Sequence, residues 1–259
     1  MSDLKKEKMT TFWSERAKVY GSDPRANTND IWLREIEIGY VHSVIQDHQF
    51  DAILDFGCAN GFTTFKLAKL HSNAHFIGID INEDMVGIAK SHCKDANLPN
   101  VEFKRCDVQR EKIEGRFDFI YAIRVFQNME SLQTQKSVFD TLRGLLKSAG
   151  FLLCVESYLD GYTRLNADRE KLGLSTLPIH RHLTLLTDEF DDFASGKMKL
   201  IKRDFLSSSY YLVTRLLYTY IAKMSNEPID YNHPIHQVAA MIPQIGEYGP
   251  QRANLYQKI

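Results

Sequence analysis

Asp55 closes the apolar run Ala52-Ile53-Leu54 and is followed at once by Gly57, Cys58, Ala59 and Gly61, small residues that give way only at Phe62. A carboxylate placed there offers an acceptor to a cation, beside backbone that a ligand approaches closely because no long side chain fills the gap. A second acid, Asp80, ends "HFIGID" 19 residues after Gly61. At that spacing a carboxylate accepts both hydroxyl protons of a ribose. The two features together point to an adenosine-type ligand. The fingerprint G-x-G-x-x-G of dinucleotide sites would need a third small residue where this loop, Gly-Cys-Ala-Asn-Gly-Phe, carries Phe62, and no G-x-x-x-x-G-K-[ST] phosphate loop exists. Asp55 would repel a pyrophosphate but suits the cationic amino end of a methionine. S-adenosylmethionine (SAM), which has ribose and adenine but no phosphate, fits these residues best.

Such a loop must sit on a first strand–helix turn, and the rest of the chain supplies the frame. "AILDF", "HFIGID", "VEFKRCD", "FDFIYAI" and "GFLLCVE" read as strands, separated by "FTTFKLAKL", "EDMVGIAKSHCKDA" and "SLQTQKSVFDTLRGLLKS" as amphipathic helices. Strands alternating with helices give a parallel, doubly wound sheet. "KMKLIKRDFL" reads as a sixth strand, "YYLVTRLLYTYIA" as a helix and "ANLYQKI" as a last edge strand. The expected fold is therefore α/β, a Rossmann-like, mostly parallel seven-stranded sheet within a single domain. Residues 1–48 form a helical lid, 49–156 the ligand-binding core, and 157–259 the last strands with insertions after strands five and six that cover a substrate.

Composition narrows the function. Lys plus Arg at 32 against Asp plus Glu at 33 leaves no basic field for a phosphate backbone, so nucleic acid is not expected as a partner. No apolar run approaches the roughly 20 residues of a membrane span, and "MSDLKKEK" lacks a signal-peptide apolar region, so no membrane partner and a cytoplasmic location are expected. Cys58, Cys93, Cys106 and Cys154 form no C-x-x-C pair and suit reduced thiols.

At this point the chain resembles the class I SAM-dependent methyltransferases. "ILDFGCANG" looks like their first motif, "GIDIN" the second, "CDV" the third, and "FDFIYAIRVFQNM" the fourth strand and its loop. The resemblance covers about residues 50–156. It implies that Asp55, Gly57, Cys58, Ala59 and Gly61 line the methionine part, and that Asp80 and Ile81 meet the ribose and one adenine face. It further implies that Asp107 binds the adenine amino group, Val108 caps the ring and Ile123 touches the sulfonium region; Ala59 replaces the commoner glycine. Tyr20 and residues 23–30 fall where related enzymes fold a lid, with Arg25 or Arg34 meeting the cofactor carboxylate. The flanks "RANTNDIWLREIE", "RVFQNMESLQTQK" and "LNADREKLGL" are similar to a bacterial subgroup associated with surface-polysaccharide and other small-metabolite pathways.

The reaction so implied yields S-adenosyl-L-homocysteine (SAH) and is an in-line displacement, in which the protein chiefly holds the acceptor at near-attack distance. A base is needed only for a hydroxyl acceptor. His180 and His182 in "PIHRHL", on one side of an extended segment, are candidates with His182 ahead, and Glu156 at the end of strand five is another. Arg124, after strand four, would clamp a carboxylate or phosphate of the acceptor or the carboxylate of SAM, and Tyr210, Tyr211 and Arg215 would line a small anionic or sugar-like acceptor. The stretch 122–128 holds no acid cluster, so no metal is expected. The acceptor is a small molecule, read as a sugar, nucleotide-linked or phosphorylated compound methylated at oxygen, and the assembly is a monomer or homodimer. The competing readings are a non-catalytic SAM- or nucleoside-binding regulator, an NAD-dependent oxidoreductase, and a protein or RNA methyltransferase.

Overall fold

The computed structural model describes residues 2–259, with side chains from Met9 onward, so the basic cluster at 5–8 lies outside the described side chains. The chain begins with α1 (Ser2–Tyr20) and α2 (Ile31–His48). Then β1 (Ala52–Phe56), α3 (Phe62–Leu70), β2 (His75–Asp80), α4 (Glu83–Asp95), β3 (Val101–Arg105), β4 (Phe117–Ile123), α5 (Leu132–Leu145) and β5 (Leu146–Ser157) follow in the expected alternation. After them come α6 (Leu159–Lys171), α7 (Asp188–Ser195), β6 (Lys199–Phe205), α8 (Ser208–Tyr211), a π-helical stretch Leu212–Leu217, α9 (Tyr218–Met224), α10 (Pro234–Met241) and β7 (Gln251–Gln257). The sheet order is β3-β2-β1-β4-β5-β7-β6, with β1 to β5 parallel and β7 antiparallel to both neighbours.

The period-2 alternation of each strand sorts its side chains onto two cores. Leu54, Ile120, Leu152 and Tyr256 face one side, where they meet Phe139 and Leu142 of α5 and Phe190 of α7. Ile53, Phe119, Tyr121, Leu153 and Leu255 face the other, against Val41 and Ile45 of α2 and Leu67 of α3. Each such side chain, fully buried, contributes on the order of 1.5–3 kcal/mol. Helix starts are set by side-chain caps: Asn82 accepts the Met85 N–H at 2.9 Å, and Ser131 the Thr134 N–H at 3.2 Å.

Three expectations are corrected. β7 is no edge strand: it lies between β5 and β6 and is buried from Gln251 to Tyr256, because acids of neighbouring elements satisfy its polar side chains. The helix expected over 131–148 ends at Leu145, and Leu146 already opens β5. Within the expected lid, α1 and the turn at residues 21–27 cover the loop side, whereas α2 packs on the sheet through Ile38, Val41, Val44 and Ile45.

Candidate functional site

Strand order reverses between β1 and β4, and in such sheets a crevice opens beyond the carboxyl ends of the strands at that point. Register brings the expected residues to it. Asp55 pairs with Gly78 on β2 and Tyr121 on β4, and the N–H groups of Gly57 and Cys58 both donate to the Ile79 carbonyl, at 2.8 and 3.0 Å. Asp80, half-buried, accepts the Ala59 N–H at 2.9 Å and the Asn82 N–H at 2.8 Å, one on each oxygen. Burial pushes its pKa up, against those backbone donors. Ala59 takes a left-handed φ of 47°, a conformation that costs an alanine and that the Asp80 bond holds in place.

The two glycines answer to packing as well as to any ligand. A Cβ on Gly57 would lie 2.4 Å from a Val125 methyl, and one on Gly61 2.7 Å from the Phe103 ring and 2.8 Å from Ala89. Cys58 turns its side chain into a small core with Val86, Ala89 and Phe103, which leaves its backbone to the loop. Asp107, buried beyond β3, accepts the Gln109 N–H at 3.2 Å; Ile81 and Val108 are half-buried and Ile123 is buried in the core face of β4.

Above Asp55 lies a buried charged cluster. Asp55 accepts the Thr64 hydroxyl at 2.6 Å and the Tyr121 hydroxyl at 2.8 Å, and burial raises its pKa to about 6, those bonds and Arg34 pulling the other way. Arg34 and Glu37 stand on the inner face of α2. One oxygen of Glu37, which is fully buried, lies 3.3 Å from Arg34 and 3.3 Å from Arg124; its other oxygen accepts from Gln251 of β7. Arg34 Nε and Arg124 Nε and Nη2 are buried without a hydrogen bond. Arg124 is held at a left-handed φ of 57°.

Glu156 explains how that conformation is kept, and its expected catalytic role is corrected. Fully buried, it accepts the backbone N–H groups of Val125 at 2.8 Å, Phe126 at 2.9 Å and Gln127 at 3.1 Å, so it fastens the loop after β4 from beneath. Burial pushes its pKa up to about 8 while the three donors oppose the shift.

The cover comes from two directions. Tyr20 of α1 packs with Ala17, Ala26, Met85 and Ala59, which brings it onto the loop. Asn60, fully buried, donates to the carbonyls of Gly21 and Asp23, and Asn82 donates to Thr10 and Ser14 of α1. Arg25 is corrected: it is exposed and bidentate to Asp23, which spends it on its own turn. From the other direction His182 meets the Phe12 ring at 5.3 Å and stacks on exposed His180 at 5.7 Å. Tyr210 is corrected too. Its hydroxyl is buried and committed to Asp30, the cap of α2, which also takes Arg215. Arg215 lies over the Tyr211 ring at 5.0 Å, and Tyr211 stays half-buried.

Glu37, Asn60, Thr64, Asn82, Tyr121 and Gln251 were not singled out from sequence. A signal existed for one: Arg34, Glu37, Ile38, Val41, Val44 and Ile45 share one helical face, and two charges on an apolar face ask for an explanation.

The profile of a family described as "Methyltransferase domain" matches residues 47–184, more than half of the chain. A malonyl-[acyl-carrier protein] O-methyltransferase of Bacillus cereus is 35% identical over 81 residues, 31% of this chain and 29% of that protein. The chain spans less than half the length of the first curated relatives it matches. Among solved structures, the N-methyltransferase NodS of Bradyrhizobium japonicum with SAH superposes with a TM-score of 0.59 at 13% identity, covering 95% of this chain and 96% of that one. The magnesium protoporphyrin IX methyltransferase of Synechocystis with bound SAH gives 0.61 at 14% identity, covering 95% and 94%. At these identities the likeness shows the fold.

Proposed function

The chain belongs to the class I SAM-dependent methyltransferases, and on that premise we propose that it methylates a small polar metabolite at oxygen, with the acceptor bound between the sheet and the insertions beyond β5. S-adenosylmethionine, when bound, supplies an electrophilic methyl group on a sulfonium. The observation that carries the reading is a buried pair of opposite charge, Asp55 at the end of β1 just ahead of the Gly57–Gly61 loop and Arg34 on the inner face of α2, each acting on the other's ionisation. An anionic group beside a guanidinium with a buried Nε lacking a hydrogen bond matches the ammonium and carboxylate of an amino acid. On this reading Asp55 and Arg34 hold the methionine part, Asp80 the ribose, Asp107 and Val108 the adenine, and Ile123 lies beside the reacting centre. Tyr20 closes over the loop and excludes water.

For a hydroxyl acceptor we assign His182 as the base: it is half-buried against α1, whereas His180 is exposed and Glu156 is spent on backbone. The test is calorimetry with SAH and with 5′-methylthioadenosine, which lacks the amino-acid part. Arg34→Gln and Asp55→Asn should each weaken SAH binding about tenfold or more and leave 5′-methylthioadenosine within twofold, a charge-assisted bond being worth roughly 1.5–3 kcal/mol. Equal losses on both ligands would remove the assignment. Incubation of SAM with cell extract and the protein, read as SAH formed, separates an enzyme from a binding regulator.

A further inference from the structure

We propose that the insertion between β6 and β7 is a self-association surface, on which two copies of this chain pair about a twofold axis with α10 of each against the groove between α2 and α10 of the other. This goes beyond the methyltransferase reading and does not depend on it. A surface helix ordinarily turns its apolar stripe inward. Here two helices show theirs to solvent: Leu217, Ile221 and Met224 repeat at i, i+4 and i+7 into α9, and Val238, Met241 and Ile242 at i, i+3 and i+4 along α10, with Ile245 just beyond. Val213, four residues before Leu217, and Ala240 of α10 pack on the same small core of Leu33, Tyr210 and Ala239, so the two rows lie on adjoining helices. Eleven of the nineteen large hydrophobic side chains left exposed among the described residues fall between Leu212 and Ile245. At roughly 100 Å² apiece they leave on the order of 1,000 Å² of apolar surface, against about 300–600 Å² for the largest patch on a typical monomer and about 800 Å² from one partner in a standard interface.

Charge and shape select the occupant. From Tyr231 to Gly246 the sequence has no Asp, Glu, Lys or Arg, in a chain that is 25% charged. Arg215 is committed to Asp30 and Lys223 to the Gly173 carbonyl. A helix that lies on lipid carries Lys and Arg along its polar face, whereas a charge-depleted apolar surface is the composition of a homodimer interface. Beside α10 runs a groove of about 310 Å³, lined by Trp32, Ile36 and Gly39 of α2 and by Ala240, Met241 and Ile242. Met241 and Ile245 project next to it, 78% and 71% exposed. Knob and hole thus lie side by side on one surface, and a twofold axis puts each knob into the other copy's hole, as an isologous interface requires. Gly39 is an independent sign. It stands inside α2, where glycine costs helix stability relative to alanine, yet a Cβ there would meet nothing within 4 Å. No contact among the described residues accounts for a glycine at that position. The close approach of a partner's side chain over bare backbone does.

The test is analytical ultracentrifugation of the whole chain. At about 100 µM the wild type should sediment as a dimer, with a Kd in the micromolar range or tighter. Gly39→Phe fills the groove and Met241→Glu puts a charge on the knob, and each should raise that Kd at least tenfold. Diluted below the Kd, both variants should melt within about 3 °C of the wild type, because both positions are exposed in the single chain and misfolding then does not explain the loss. The proposal is overturned if the wild type is monomeric at about 100 µM. It is also overturned if both variants dimerise as the wild type does, since the contact would then lie elsewhere. In a monomeric wild type, co-sedimentation with vesicles of equal parts phosphatidylcholine and phosphatidylglycerol, lost in Met241→Glu, would assign the patch to a lipid surface instead. Binding of SAH plays no part in these readouts, so failure of the methyltransferase reading would leave the pairing standing, and the reverse.

Discussion

Asp55 is the residue where stability and function pull apart. Its folded pKa of about 6 stands above the 3.8 of an unperturbed carboxyl, because burial penalises the charge more than Thr64 and Tyr121 relieve it. A raised acid contributes stability that is complete below pH 3.8 and is lost as pH rises through about 6. At neutral pH the ionised wild type therefore gives up about 3 kcal/mol, at roughly 1.36 kcal/mol per unit. Asp55→Asn should be as stable as wild type at pH 4 and more stable by about 1–3 kcal/mol at pH 7 in urea unfolding, while it loses SAH affinity. An ammonium beside Asp55 would also lower its pKa, so SAH binding near pH 6 should release a proton that Asp55→Asn does not, read from calorimetry in buffers of different ionisation enthalpy. A stability gap independent of pH would show that Asp55 is already neutral or already well paired. The positions of Asp55 and Asp80 were readable because a carboxylate closing an apolar strand is a local pattern. Glu156 sits at the same kind of strand end, yet it serves as a backbone clamp. Sequence cannot separate the two roles, since the partners of Glu156 lie about 30 residues away on the loop after β4.

At the scale of elements, the loop after β4 and helix α1 are each fastened by one or two polar side chains in addition to packing. Glu156→Ala would leave three backbone N–H groups without their acceptor, at roughly 1–3 kcal/mol for each one that stays dry. It should lower stability by at least about 3 kcal/mol and weaken SAH binding, because Arg124 and Val125 move with the loop. A variant that keeps both would mean that water replaces the carboxylate. Asn82 caps α4 and also ties down α1, and Asn60 holds the turn after α1. Asn60→Ala and Asn82→Ala should therefore raise amide exchange across residues 10–26 with little change in β1 to β5. Exchange that rises uniformly would instead report global destabilisation. The alternation of β1 to β5 with their helices was readable because each element buries one face and shows its period. The place of α2 was not: a helix ahead of the first strand reads equally well as lid or as sheet cover until Ile38, Val41 and Ile45 are seen against Phe119 and Leu153.

For the molecule as a whole, β7 decides whether the two halves hold together, since it joins β5 to β6 and through Gln251 reaches the Glu37 beneath the site. As the last strand of the chain it read as an edge strand, and the physical reason that its polar residues are buried inside the sheet is charge pairing from elsewhere. Arg252, 5% exposed, meets Asp160, Asp188 and Asp191 and lies over the Tyr158 ring at 4.2 Å. Asn254 donates to Tyr158 and Asp191, and Arg203 of β6 reaches Asp191 at 2.5 Å. Burial raises the pKa of Asp191, whereas Tyr158, Arg203 and Arg252 hold it down. Replacing Arg252 by Met keeps volume over Tyr158 and removes one cation from beside a buried carboxylate. Leaving a buried charge without its partner costs about 3–5 kcal/mol. Arg203 remains, so the lower end applies, and the melting temperature should fall by roughly 6–12 °C at pH 7.5. The sign with pH follows from Asp191: with Arg252 gone its folded pKa climbs further above the unfolded value, and the variant loses stability as pH rises through it. The deficit should accordingly shrink toward pH 5, and Arg252→Met combined with Asp191→Asn should recover much of it at pH 7.5. A deficit that is constant with pH and unmoved by the second substitution would assign the loss to the packing of the guanidinium on Tyr158. The insertion of β7 would then rest on shape, with the acids around it only solvated neighbours.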